Sequence, residues 1–164
     1  MIEPSKVNAV ASKKEDENLE FRAFLKNCAD YDELDKQFAR LHNELFAGYD
    51  CCKCNNCCRV YSVTVQKDEI GTIAAFLGLT EQAFTEAHLT QSGEDYAIKV
   101  PCCFLDENGE CAIQTCKPVE CREFPYTNKP DRAQSLLGVI SFAEVCPVVF
   151  EILERLKAIY NFKA

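Results

Sequence analysis

Five cysteines fall within eight residues: Cys51, Cys52, Cys54, Cys57 and Cys58. Thiolates crowded this closely repel one another unless a cation sits among them. Zinc and iron–sulfur clusters both bind sulfur in its deprotonated form, so the first chemistry this chain suggests is metal binding. The spacing Cys51-x-x-Cys54-x-x-Cys57-Cys58 supports that reading, because two-residue spacers let a loop turn back and aim successive sulfurs at one ion. Asn55 and Asn56 suit such a loop, since asparagine tolerates left-handed backbone angles.

A second set of thiols follows at Cys102, Cys103, Cys111, Cys116 and Cys121, with Cys146 further on. Between Leu105 and Cys111, Asp106-Glu107-Asn108-Gly109 marks a turn. A strict Asn-Gly hairpin would set Cys111 opposite Asp106, four positions from Cys102 and roughly 13 Å away along a strand. Either the loop is wider than that, or Cys102 and Cys111 serve different sites. Pro118 fits the first position of a short helix that Pro125 would end, and Cys121 would then point inward from a tight turn. Pro147 makes Cys146 the N-cap of a last helix, where backbone N–H groups favour a thiolate and hence a ligand. In the adjacent pairs 51/52, 57/58 and 102/103, one member is expected to bind and one to be spare, unless the two serve two metals. Four thiols fill one tetrahedral zinc or one cubane cluster, and eight fill two. Arg59 and Arg122 directly follow cysteines and could donate hydrogen bonds to sulfur.

The elements that must position these groups can be read from periodicity. Residues 1–16 are polar and aperiodic, and a mobile tail is expected there. Phe21, Phe24, Leu25 and Cys28 mark one helical face, with Cys28 a buried small hydrophobe. Asp30 and Glu33 resemble a capping box before Tyr31, Leu34, Phe38, Leu41 and Leu45, and Gly48 stops that helix. The two form a hairpin over 17–48. Val60–Val65 reads as a strand, Ile70–Leu77 as a helix ending at Gly78, and Thr80 caps another to about Leu89. Residues 95–100 and Ser135–Val145 have strand character. Val149, Ile152, Leu153, Leu156 and Tyr160 define a final helix. His42, beside the apolar stripe, and His88, near a helix end, read as structural rather than as ligands.

The 164 residues bound the function classes. With 18 basic against 26 acidic residues and a net charge of −8, the surface is wrong for a nucleic-acid binder. No apolar run approaches a membrane span, and the opening residues lack a signal peptide's pattern. A cytoplasmic, reducing location is therefore expected, where clustered cysteines bind metal rather than form disulfides. The expected fold is α+β: a small helix-rich domain of short strands and cysteine loops around a metal site, spanning 49–164 and continuous with the hairpin.

These motifs resemble a bacterial cysteine-cluster family of zinc- or iron-chelating domains. Its pattern is C-x-x-C-x-x-C-C, then P-C-x-F-L, Cys-x-Ile, R-P-x-x-C-R-x-F-P and a late C-P. The matching residues are the first cluster, Pro101–Leu105, Cys111-Ala112-Ile113, Pro118–Pro125 and Cys146-Pro147, over roughly 50–147. Lys117 stands where Arg is usual before the proline, and Gln114 where Tyr commonly follows the isoleucine. The resemblance implies Cys51, Cys54, Cys57, Cys58, Cys102, Cys111, Cys121 and Cys146 as ligands, leaving Cys28, Cys52, Cys103 and Cys116 as extras. A similar cluster in flagellin lysine methylases implies an iron–sulfur centre.

Three functions compete. The first is a zinc- or iron-binding protein, holding iron–sulfur, in metal handling or electron transfer. The second is an enzyme modifying a protein side chain, although no G-x-G-x-x-G loop or Ser/His/Asp set supports it. The third is a structural zinc domain meeting a protein partner through the N-terminal helices.

Overall fold

The computed structural model describes residues 1–163. In chain order the helices are α1 (Val7–Ser12), α2 (Glu15–Cys28), α3 (Tyr31–Phe46), α4 (Cys51–Cys54), α5 (Asn56–Val60), α6 (Lys67–Phe76), α7 (Glu81–His88), α8 (Val119–Glu123), α9 (Arg132–Ala143) and α10 (Pro147–Ile159). The strands are β1 (Thr64–Val65), β2 (Leu89–Ser92) and β3 (Asp95–Ile98). The chain is thus a helix-rich α+β protein, as its sequence leads one to expect. It divides into a helical unit, Met1–Asp50 with the segment from Pro125 on, and a cysteine unit, Cys51–Phe124. None of the helices among the described residues is long and apolar enough to cross a membrane.

In the helical unit, α10 buries Val148, Val149, Ile152, Leu153 and Leu156. A helix apolar over so wide an arc needs neighbours on more than one side. It finds them in α3 and α9, and α2 packs on α9. This is why the last helix joins the N-terminal helices rather than the cysteine segment with which 49–164 would group it. The principal partners of α2 and α3 are these C-terminal helices, so the apolar faces of the expected hairpin are covered within the unit. Asp30 caps α3 by accepting the Glu33 N–H at 2.9 Å, and Leu34, Phe38, Leu41 and Leu45 line its buried face. At the deeply buried Lys157, the ammonium donates to Glu17 and Glu154, each at 2.7 Å.

Three expectations in this unit need correction. The supposed mobile tail is helical at 4–12, with Val7 and Ala11 each 1% exposed. That i, i+4 pair is too short a pattern to stand out among polar residues, and α1 is fixed by packing on α9 and α10. Cys28 is exposed, because α2 ends there and its buried face runs Asn18, Phe21, Leu25. The run at 135–145 is helical in α9, where Leu136, Val139, Ile140 and Ala143 share one buried face. Packing here overrides the strand preference of Val139 and Ile140.

The cysteine unit is built on a three-stranded antiparallel sheet in the order β1-β3-β2. Thr64 pairs with Ala97, and Leu89 with Ile98. Val65, Ile70, Ile73, Phe84, Ile98, Phe104 and Ile113 form its core. Thr80 caps α7 by accepting the Ala83 N–H at 3.2 Å. The strand expected at 60–65 keeps only Thr64 and Val65, since Val60 still belongs to α5. Strand β2 went unforeseen: only Leu89 of it is buried and the next three residues are exposed, so it has no period to detect.

Candidate metal centre

The first thiol cluster is two short helical turns, α4 and α5, broken at Asn55. Asn55 adopts a left-handed conformation, φ 56°, which the sequence anticipates. It is 8% exposed, and its side-chain amide donates to the Cys52 carbonyl at 2.6 Å. The break turns the second helical segment so that Cys51 and Cys52 from one side, and Cys57 and Cys58 from the other, line one cavity.

The second cluster is stitched directly to the first. The Cys102 N–H donates to the Cys58 carbonyl at 2.8 Å. Leu105 bridges Cys111 in antiparallel fashion, and the intervening loop is wider than an Asn-Gly dipeptide. Asp106 Oδ1 organises it, accepting from the Asn108 and Glu110 N–H groups at 2.9 and 2.8 Å. Of the two alternatives the wider loop is therefore correct, and Cys102 and Cys111 face the same cavity. Gly109 closes the arrangement: with φ 83°, a Cβ there would lie 2.8 Å from the Cys52 carbonyl and against the Asn55 amide.

Helix α8 delivers the last thiol. Pro118 caps it from just outside. The Val119 N–H donates to Glu69 at 2.7 Å, and Glu120 accepts the Thr64 N–H at 2.8 Å. Two carboxylates thus lock α8 to α6 and β1, with Cys121 turned into the cavity.

The resulting cavity holds about 110 Å³ and is lined by Cys51, Cys52, Cys57, Cys58, Cys102, Cys111 and Cys121, with Lys117 and apolar walls that include Ile98 and Ile113. All twelve cysteines of the chain are thiols. Burial, followed by the charges of Cys102, Cys58 and Cys111, pushes the Cys121 thiol up to about 12. Burial also raises Cys102 and Cys111, and both feel Cys58. Cys58 moves the other way, to about 6, because Cys57 hydrogen-bonds its thiolate and Lys117 and Arg59 lie near. Cys58, Cys102, Cys111 and Cys121 therefore form one electrostatically linked set, whose joint ionisation requires a positive centre. Among the described residues, no three Cys, His, Asp or Glu side chains already converge as an ion-binding group. The thiols ring the space rather than meet at a point. Sulfur donors in a largely apolar shell suit a thiophilic metal.

The sequence matches the model of the CxxCxxCC family, described as a zinc- or iron-chelating domain, over residues 50–147, more than half the chain. The chain belongs to that family. No curated protein and no solved structure gives a significant match. The family is described by zinc or iron chelation, and the thiol-lined cavity lies within the matched region.

Six of the eight thiols implied by the resemblance line the cavity of the CxxCxxCC domain, joined by Cys52, which had been set aside as an extra. Both members of the 51/52 and 57/58 pairs face it, but of 102/103 only Cys102 does. Cys54, the last residue of α4, lies outside the lining. Cys146 belongs to the helical unit, 8% exposed, as the N-cap of α10 ahead of Pro147. Cys103 is exposed, 3.3 Å from His88 Nδ1. His42 is half-buried, its Nδ1 2.8 Å from the Thr127 hydroxyl, and burial lowers its pKa. The Arg122 guanidinium donates to the Lys117 carbonyl, not to sulfur. The cation the sequence did not single out for the cavity is Lys117. Its one signal was standing where the family pattern has arginine.

Proposed function

We propose that the cysteine unit carries an iron–sulfur cluster and serves a redox or metal-site role in a reducing compartment, the cytoplasm. The observation that carries this reading is seven thiols around one 110 Å³ cavity. A water-sized centre needs only about 10–15 Å³, so the space is several times what one ion requires. A lone zinc would draw four sulfurs to one point and leave most of the cavity empty. Cys58, Cys102, Cys111 and Cys121, already linked electrostatically, are the primary ligands in this reading, with Cys51, Cys52 and Cys57 at hand. When bound, a cluster supplies one-electron chemistry, its potential set by charge and hydrogen bonds around the sulfurs.

Protein purified without oxygen should be brown and contain iron with acid-labile sulfide. A colourless protein with stoichiometric zinc would overturn the cluster reading. A structural role has one specific observation in its favour: Ile98 and Ile113 belong both to the cavity wall and to the hydrophobic core. Metal occupancy and core packing then support one another.

A further inference from the structure

A second cleft, of about 420 Å³, opens among the first turns of α6, the 3-10 turn Gln114–Cys116 and α8. That volume lies in the range of small-molecule sites. Lys117 lines both this cleft and the thiol cavity. Its ammonium has no hydrogen bond or ion pair among the described residues. Arg122 also lines the cleft, with one arm on the Lys117 carbonyl and the rest of its fork uncommitted. Two hydroxyls, Thr72 and Thr115, add possible donors.

Two acids face the same space and balance the two cations in formal charge, but the four groups differ in how far their hydrogen bonding is already committed. Glu69 is already spent: one oxygen accepts the Val119 N–H at 2.7 Å, the other the Gln66 N–H at 3.0 Å. Only Asp68 remains uncommitted against Lys117 and Arg122. Unsatisfied donors therefore outnumber acceptors, and the cleft suits a compact anion that an arginine fork and a lysine can share.

The geometry points to a binding site for a small carboxylate- or phosphate-bearing molecule, held by Lys117 and Arg122 on the wall shared with the thiol cavity. An anion there competes with the thiolate centre for the Lys117 ammonium, so its arrival is felt at the metal. The site does not depend on which metal the thiols hold.

The test titrates metal-loaded full-length protein with inorganic phosphate and, separately, acetate. Amide chemical shifts of Thr72, Thr115 and Lys117 report on the cleft, and the metal–thiolate absorption reports on the centre. Saturable shifts are expected with a dissociation constant of about 1 mM or tighter for at least one anion. K117M and R122Q should each weaken binding about tenfold or more, the usual loss for a charge-assisted hydrogen bond, while K117R keeps it. Phosphate binding without acetate binding assigns the site to phosphate esters, and the reverse to carboxylates. Metal content measured on every sample separates loss of the centre from loss of the anion. Should R122Q disturb α8, K117M alone decides. No saturable shift with either anion, or binding unchanged in K117M, would overturn the proposal.

Discussion

Replacing Gly109 by alanine attacks the joint between the two thiol clusters without touching a thiol. Two costs follow from the structure. Alanine at φ 83° is strained by about 1–2 kcal/mol. Its Cβ would also press on the Cys52 carbonyl at 2.8 Å and on the Asn55 amide. The carbonyl is backbone, held by the same Asn55 side chain, and cannot swing aside. Overpacking of this kind costs about 1–3 kcal/mol, for a total of about 2–5 kcal/mol in the cysteine unit. Gly93 supplies the control. It too has a left-handed backbone, φ 63°, but nothing lies within 4 Å of an added Cβ, so G93A should carry the strain alone. Urea unfolding of the metal-loaded proteins should place G109A clearly below G93A, by about 1–3 kcal/mol. Metal stoichiometry should fall in G109A and not in G93A. Equal stability and equal metal content in the two variants would show that the Gly109 contact does not hold the clusters in register.

Other expectations can be checked alongside. C121S and C58S should lose most of their bound metal by elemental analysis, while C103S, whose thiol is exposed outside the cavity, should keep it. Removing the metal with a strong chelator should cost the cysteine unit its near-UV circular dichroism and leave the helical unit's far-UV signal largely intact, because only the former's core shares walls with the cavity. F84A, at a residue with no exposure, should destabilise the cysteine unit by about 3–5 kcal/mol in urea. In the helical unit, the Lys157 hydrogen bond holds the Glu17 carboxyl below its ordinary 4.5. That stabilisation is present above pH 4.5 and is lost as the pH falls through the lowered folded value. The wild-type helical unit should therefore weaken in acid over that window, and E17Q should flatten the dependence in a pH series of thermal melts.

Much of this architecture was legible because it rests on local chemistry. Asp30 and Thr80 mark helix starts through side-chain caps, Gly78 and Pro147 mark a helix end and a helix start through backbone geometry, and the structure puts the boundaries there. The left-handed Asn55 follows from the same reasoning. What escaped depends on distant partners. Helix α1 is folded by neighbours more than a hundred residues away, and α9 by burial that outweighs the β-branched character of Val139 and Ile140. The thiol cavity was readable as a set of donors but not as a shape. Spacing could not tell that Cys52 lines the cavity while Cys54 does not, since the two lie on roughly opposite sides of the one turn α4 and packing decides which side faces the space. Nor could spacing find Lys117, whose importance comes from the two spaces it separates.

The division into units has a bearing on how the protein is made. The cysteine unit is a continuous insertion in a helical unit whose halves flank it in the chain. On the ribosome, Cys51–Phe124 emerges whole before α9 and α10 exist, so its thiols can take up metal while α2 and α3 still wait for their covering helices. The helical unit must then close around a long intervening segment, at an entropic cost that grows with the length of loose chain. A metal-loaded insert is compact and shortens that effective loop. Starvation for metal during synthesis would thus also leave its mark on the helical unit, as delayed burial of Leu34, Phe38 and Leu41.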